Sequence, residues 1–229
     1  MSKKTKSLIG YILLILGVPA AVILGHFFFP EKQYAFTIFI VSIISIIPFV
    51  LQFEHNETDL EKLIIVAVKT AISAAGRIVF EALPHFKPVT AIVIITGIYL
   101  GKEAGFMCGA FSALISNFSI GQGPWTPFQM FSWGLIGLLA AVLSKYLKKS
   151  VLLTVAFGGL AGFLYSILMD VFTVLWADGF FNIKRYFARI ATSLPVTAVY
   201  VVSNIVFLLI ITKPFGKVID RIKLKYGIN

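Results

Sequence analysis

Long apolar runs recur from one end of this chain to the other, separated by short polar segments rich in glycine and proline. That pattern leaves few folds open. Crossing the hydrocarbon core of a bilayer takes about 20 apolar residues as helix, and several runs reach that length. Lipid offers no partner to a backbone amide, so only helices and closed barrels can span it. The apolar–polar alternation of a barrel strand is missing here. The chain therefore reads as an all-α, polytopic membrane protein. Only 13% of its residues are charged and 59% are hydrophobic, whereas a soluble domain carries roughly a quarter charged residues. One membrane domain accounts for the whole.

Eight spans are expected, at Leu8–Phe29, Ala35–Phe53, Leu60–Leu83, Pro88–Leu100, Glu103–Phe118, Pro127–Leu147, Val151–Trp176 and Tyr186–Thr212, with a basic tail after the last. The first follows Lys3, Lys4 and Lys6 and looks at first like a secretion signal. Its apolar run exceeds the roughly 7–15 residues of such a signal and ends without a small-residue cleavage site, so it reads as a retained helix. The polar stretch Glu54–Asp59 divides the chain into an N-terminal transmembrane hairpin with its linker, 1–59, and a six-helix unit, 60–229. Thr58 and Glu61 have the spacing of a capping box opening the third span.

The net charge of +10 does not point to nucleic acid, because the basic residues sit between apolar runs, where membrane topology places them. With both termini inside the cell, the inner segments hold more lysine and arginine than the outer ones. The segments Pro84–Lys87, Phe118–Thr126 and Ala177–Arg185 then share the outer face, and a site open to the outside follows. A single cysteine, Cys108, allows no disulfide and no CxxC metal pair. His26, His55 and His85 lack ligand spacing and read as satisfied or solvated side chains. Neither a metal nor a cofactor is expected. No Walker loop, HExxH or hydrolytic triad is present, so the chain is not expected to be an enzyme or to hydrolyse ATP.

The stretch from Ser116 to Gly134 is the richest in chemistry. Glycine and proline break the helix there. Asn117, Gln122 and Gln129 bring paired donors and acceptors, and Trp125 and Trp133 bring flat faces with one N–H each. That set suits a small polar molecule with a ring; by composition alone it reads first as an interfacial loop with an aromatic belt. Neighbouring spans add Arg77, Glu81, Tyr165, Asp170 and Trp176. An ion pair of Arg77 with Glu81, four residues on, is one expectation. Asp170 pairs with Arg77 or Arg189, or meets a ligand. Asn204 reads as a bond between helices. Ala67, Ala71 and Ala75 recur every fourth residue and so share one helix face, built either for packing inside the bundle or for close approach of another helix.

Taken together, Ala67–Arg77, Lys87-Pro88-Val89-Thr90-Ala91, Leu100–Phe106 and above all Gly121–Pro127 with Gln129–Gly134 resemble the substrate-binding (S) components of energy-coupling factor transporters, over about residues 60–215. The usual family unit has six helices, so the resemblance leaves the hairpin unexplained. It implies a vitamin or related micronutrient taken from outside into a pocket closed by the three outer loops. It implies docking through Ala67, Ala71 and Ala75 on a membrane scaffold subunit that carries two ATPases. It places the chain in the cell membrane. Within the family the sequence looks closest to the cobalamin type, with folate, pantothenate, thiamin precursors, queuosine precursors and tryptophan as other cargoes. A stand-alone secondary transporter and a membrane scaffold protein remain as alternatives from the residues alone.

Overall fold

The computed structural model describes residues 16, 17, 19–29, 32–54 and 60–226. Among them are nine helices and no strand: α1 (Pro19–Phe28), α2 (Gln33–Glu54), α3 (Leu60–Val79), α4 (Val89–Leu100), α5 (Lys102–Ile120), α6 (Thr126–Val142), α7 (Ser144–Leu147), α8 (Val151–Asp178) and α9 (Ile183–Tyr226). The all-α expectation holds. The Thr58 capping box, and the part of the first span from Leu8 to 15, lie outside the described residues.

Helix α4 is the axis of the bundle. It is apolar on every side, which in a helix signals burial all round, and eleven of its twelve residues are buried. Helices α3, α5, α6 and α9 surround it. Small residues set the tightest crossing. A side chain at Gly97 or Gly105 would run into the Gly137 backbone, and one at Gly109 into the backbone of Trp133. The α4, α5 and α6 backbones therefore approach as only glycine allows, the usual packing device where helices gain little from excluding water. Helices α8 and α9 pair along Gly158 and Gly162, and the Asn204 amide donates 2.9 Å across to the Gly158 carbonyl, the interhelical bond expected of it.

Helix boundaries depart from the sequence reading in three places. The third span stops as helix at Val79 and continues as tight turns, with Glu81 N–H on the Ile78 carbonyl and Leu83 N–H on that of Phe80. Pro84 disfavours helix in the residue before it. The sixth span breaks at Leu143, whose carbonyl receives the amides of both Tyr146 and Leu147. The last span does not end at Thr212. Helix α9 runs 44 residues through Pro195 and Pro214, about 66 Å at 1.5 Å per residue. Each proline removes one ladder bond, and hydroxyls cap nearby carbonyls: Ser193 on Ile190 at 3.1 Å and Thr212 on Leu208 at 2.5 Å.

The hairpin packs against α5, α6 and α8, where Val41 and Ile44 join Phe106, Phe128, Phe131 and Leu175 in an apolar cluster. Its sharpest contact is polar. Gln33 is fully buried, donates 2.8 Å to the Val22 carbonyl and accepts 2.9 Å from the Phe181 amide, in the segment joining α8 to α9. Beside it Tyr34 N–H donates to the Gly179 carbonyl at 3.1 Å. Gly179 takes a left-handed φ of 75° to end α8, a conformation that glycine adopts at little cost.

Candidate binding site

Arg77 lies in the last turn of α3 and points into the bundle, 9% exposed. Its Nη1 donates to Ser116 Oγ and to Asn117 Oδ1, both at 2.6 Å, while the guanidinium sits 5.0 Å from the Trp133 ring centroid. These partners are neutral. A charge at membrane depth is costly unless its surroundings compensate it, and here two acceptors and a π face share that task. Glu81 sits exposed in the turn after α3, and among the described residues no ion pair joins it to Arg77. The expected Arg77–Glu81 pair is replaced by the α5 contacts, because the α3 helix ends before Glu81 completes the next turn.

Asn117 carries the network onward. Its Nδ2 donates to Thr126 Oγ1 and Gln129 Oε1, each at 2.8 Å. Thr126 donates to Gln122 Oε1 at 2.9 Å, and Gln122 donates back to the Leu114 carbonyl at 2.9 Å. The α5–α6 segment is thus tied to α5 through side-chain amides. Beneath Arg77, Trp133 stacks on Tyr165 with 4.8 Å between centroids and 16° between planes, and its N–H donates 3.2 Å to Thr90 Oγ1. Tyr200 meets Tyr165 edge-on, and its hydroxyl lies 3.1 Å from His85 Nδ1. His85 stands in the α3–α4 segment at φ 62°. Burial, and then the nearby Lys87, push its imidazole below the ordinary value.

Farther along the α8–α9 seam, Ser166 and Thr197 hydroxyls lie 2.6 Å apart. Asp170 accepts from Arg189 Nε at 3.0 Å and Ser193 Oγ at 2.6 Å. Of its two expected basic partners, Asp170 takes Arg189. Arg77, Asn117, Gln122, Gln129, Trp133 and Tyr165 therefore come together, with Asp170 next along the seam. Trp125 stands at the rim, 37% exposed, with Gly123 against its ring. Trp176 lies apart, exposed and edge-on to Tyr34 of the hairpin. Sequence reasoning missed Ser116, Thr126, Thr90 and Tyr200. The only signal for Tyr200 was its α9 spacing, three residues from Thr197 and four from Asn204, on the face that meets α8.

The arrangement is a buried, stacked aromatic pair beside a cation and a row of amides. Residues 57–221 match the family model of the ECF-type riboflavin transporter S component. The chain belongs to this family. S components are transporter subunits that bind substrate and work with an energy-coupling module; they are not an enzyme family. The chain is accordingly a membrane protein, and α8 and α9 are each long and apolar enough to cross a bilayer. No curated protein and no solved structure matches the chain.

Proposed function

We propose that this S component captures riboflavin, or a closely similar flat heteroaromatic vitamin, from outside the cell. The reading rests on the Trp133–Tyr165 stack under a buried guanidinium, with the Asn117 and Gln129 amides alongside. A fused ring system gains from stacking on an aromatic face, and its carbonyls and ring nitrogens accept hydrogen bonds from a cation and amides. The family description names riboflavin, where resemblance alone had pointed to cobalamin. In this reading Asn117, Gln122, Gln129, Trp133, Arg77 and Tyr165 contact the cargo, Trp125 stands at the edge of the site, and Asp170 at the far end of the seam.

The termini are cytoplasmic in this reading, so that the segments joining α3 to α4, α5 to α6 and α8 to α9 face outward and close over the cargo. Residues 1–59 act as a hairpin added to a six-helix transport unit. Ala67, Ala71 and Ala75 are all exposed, as are Ile64, Val68 and Ile72 on the same helix. A small-residue face left uncovered by its own bundle favours docking on the scaffold subunit, which carries two ATPases, over internal packing. Energy for release then comes from the partners.

The test is a titration of detergent-purified protein with riboflavin and with cobalamin, followed by calorimetry and by the fluorescence of the flavin. Riboflavin should bind near one to one, and Trp133→Ala should weaken it about tenfold or more, equivalent to about 1.4 kcal/mol. Binding of cobalamin but not riboflavin would reject the cargo. Unchanged affinity in Trp133→Ala and Gln129→Ala together would reject the site.

A further inference from the structure

The end of the bundle opposite Arg77 holds a cavity of about 230 Å³ that the binding site does not use. It lies among the end of α4, α7, the first turn of α8 and the late part of α9. Lys148, Lys213 and Lys217 border it with Tyr99, Thr154 and Asp220. Lys213 and Lys217 are four apart and share one face of α9. Lys148 reaches them from the segment joining α7 to α8, its ammonium 5.0 Å from the Tyr99 ring centroid. Among the described residues no ion pair engages these three lysines, and one carboxylate, Asp220, faces them. The first turn of α8 supplies one wall, with Ser150 as its cap. A helix start turns the positive end of its dipole toward a ligand.

A preference for basic residues at the inner surface accounts for lysines near these helix ends. It does not account for their convergence from separate elements on one cavity. Ile98 and Leu147 give the cavity an apolar floor. Leu152 beside it in sequence is 76% exposed, and Leu209, one turn before Lys213, is 58% exposed. Those side chains leave exposed hydrocarbon on α8 and α9, the helices that border the cavity. A phosphate joined to acyl chains satisfies both halves of the site at once.

We propose that this cavity binds the phosphate of an anionic phospholipid headgroup from the inner leaflet. The inner placement rests on the orientation proposed above. The experiment uses the full chain in nanodiscs of phosphatidylcholine alone or doped with phosphatidylglycerol, released into the mass spectrometer to count retained lipid. One phosphatidylglycerol should stay bound. The triple variant Lys148→Gln, Lys213→Gln, Lys217→Gln should lose at least tenfold of that retention, and three arginines in the same places should restore it. Asp220→Asn should raise retention, a sign that damaged folding does not produce. Soluble glycerol phosphate is titrated in phosphatidylcholine discs as a parallel arm. Saturable binding there, without selective lipid retention, would overturn the lipid and assign the phosphate to a soluble ester. Equal retention in wild type and the glutamine variant would overturn the site. Riboflavin affinity is read on the same samples and should not change, so failure of the cargo reading and failure of this site remain separable.

Discussion

Arg77 shows how one side chain organises a site. Its two short bonds go to neighbours on α5, and its face covers Trp133, so a single buried cation fixes an amide, a hydroxyl and an indole together. His85 adds a pH-dependent element to the α3–α4 segment. The folded state holds its imidazole below the ordinary value of about 6.5, so the fold prefers the neutral ring. Above about 6.5 the ring is neutral in the folded and the unfolded chain alike, and nothing changes. As pH falls from there toward the lowered folded value, the unfolded chain takes the proton more readily, and the fold loses stability. The melting temperature in detergent should therefore be lower at about pH 5.5 than at about 7.5. His85→Asn should flatten that difference; an unchanged profile in this variant would remove His85 as its source.

At the scale of elements, glycine sets how near α4, α5 and α6 can come. Gly137→Leu would drive a side chain into the Gly105 backbone and Val93, and overpacking of this kind typically costs about 1–3 kcal/mol. A lower melting temperature in detergent, with riboflavin affinity falling as well, is the expected result. The hairpin contact acts on a different element. Gln33→Ala leaves the half-buried Phe181 amide without its acceptor, and losing such a bond costs about 1 kcal/mol or more. Hydrogen exchange should quicken severalfold in the segment between α8 and α9 and stay unchanged in α4. Equal protection in both proteins would mean that the hairpin does not restrain this segment.

For the whole molecule, the proposed function assigns two tasks to two surfaces. One end of the bundle carries the stacked aromatic pair and its amides. The flank of α3 presents an exposed apolar, small-residue face. Ala71→Trp should leave riboflavin binding intact within about twofold, because surface substitutions away from packed groups change little. The same variant should fail to co-purify with the scaffold and ATPases and should not support uptake in cells. Normal uptake would place the docking face elsewhere.

Sequence by itself determined the helical membrane class, the even spacing of Ala67, Ala71 and Ala75, and the concentration of amides and indoles between Asn117 and Trp133. Each of these is a local property: hydropathy over about 20 residues, a repeat of four, or a cluster within one loop and its flanks. Tertiary structure decided the partners. Arg77 turned from Glu81 to Asn117, Asp170 chose Arg189, and Gln33 met Phe181 across 148 residues of chain. Tyr200 and Thr90 joined the aromatic cluster from α9 and α4, where spacing along the helix gives at most the face and not the partner. Spacing along a helix says which residues share a face, but the rotation and closeness of packed helices say what that face meets. In this protein those were set by glycine contacts among α4, α5 and α6, which exist only once the bundle has formed.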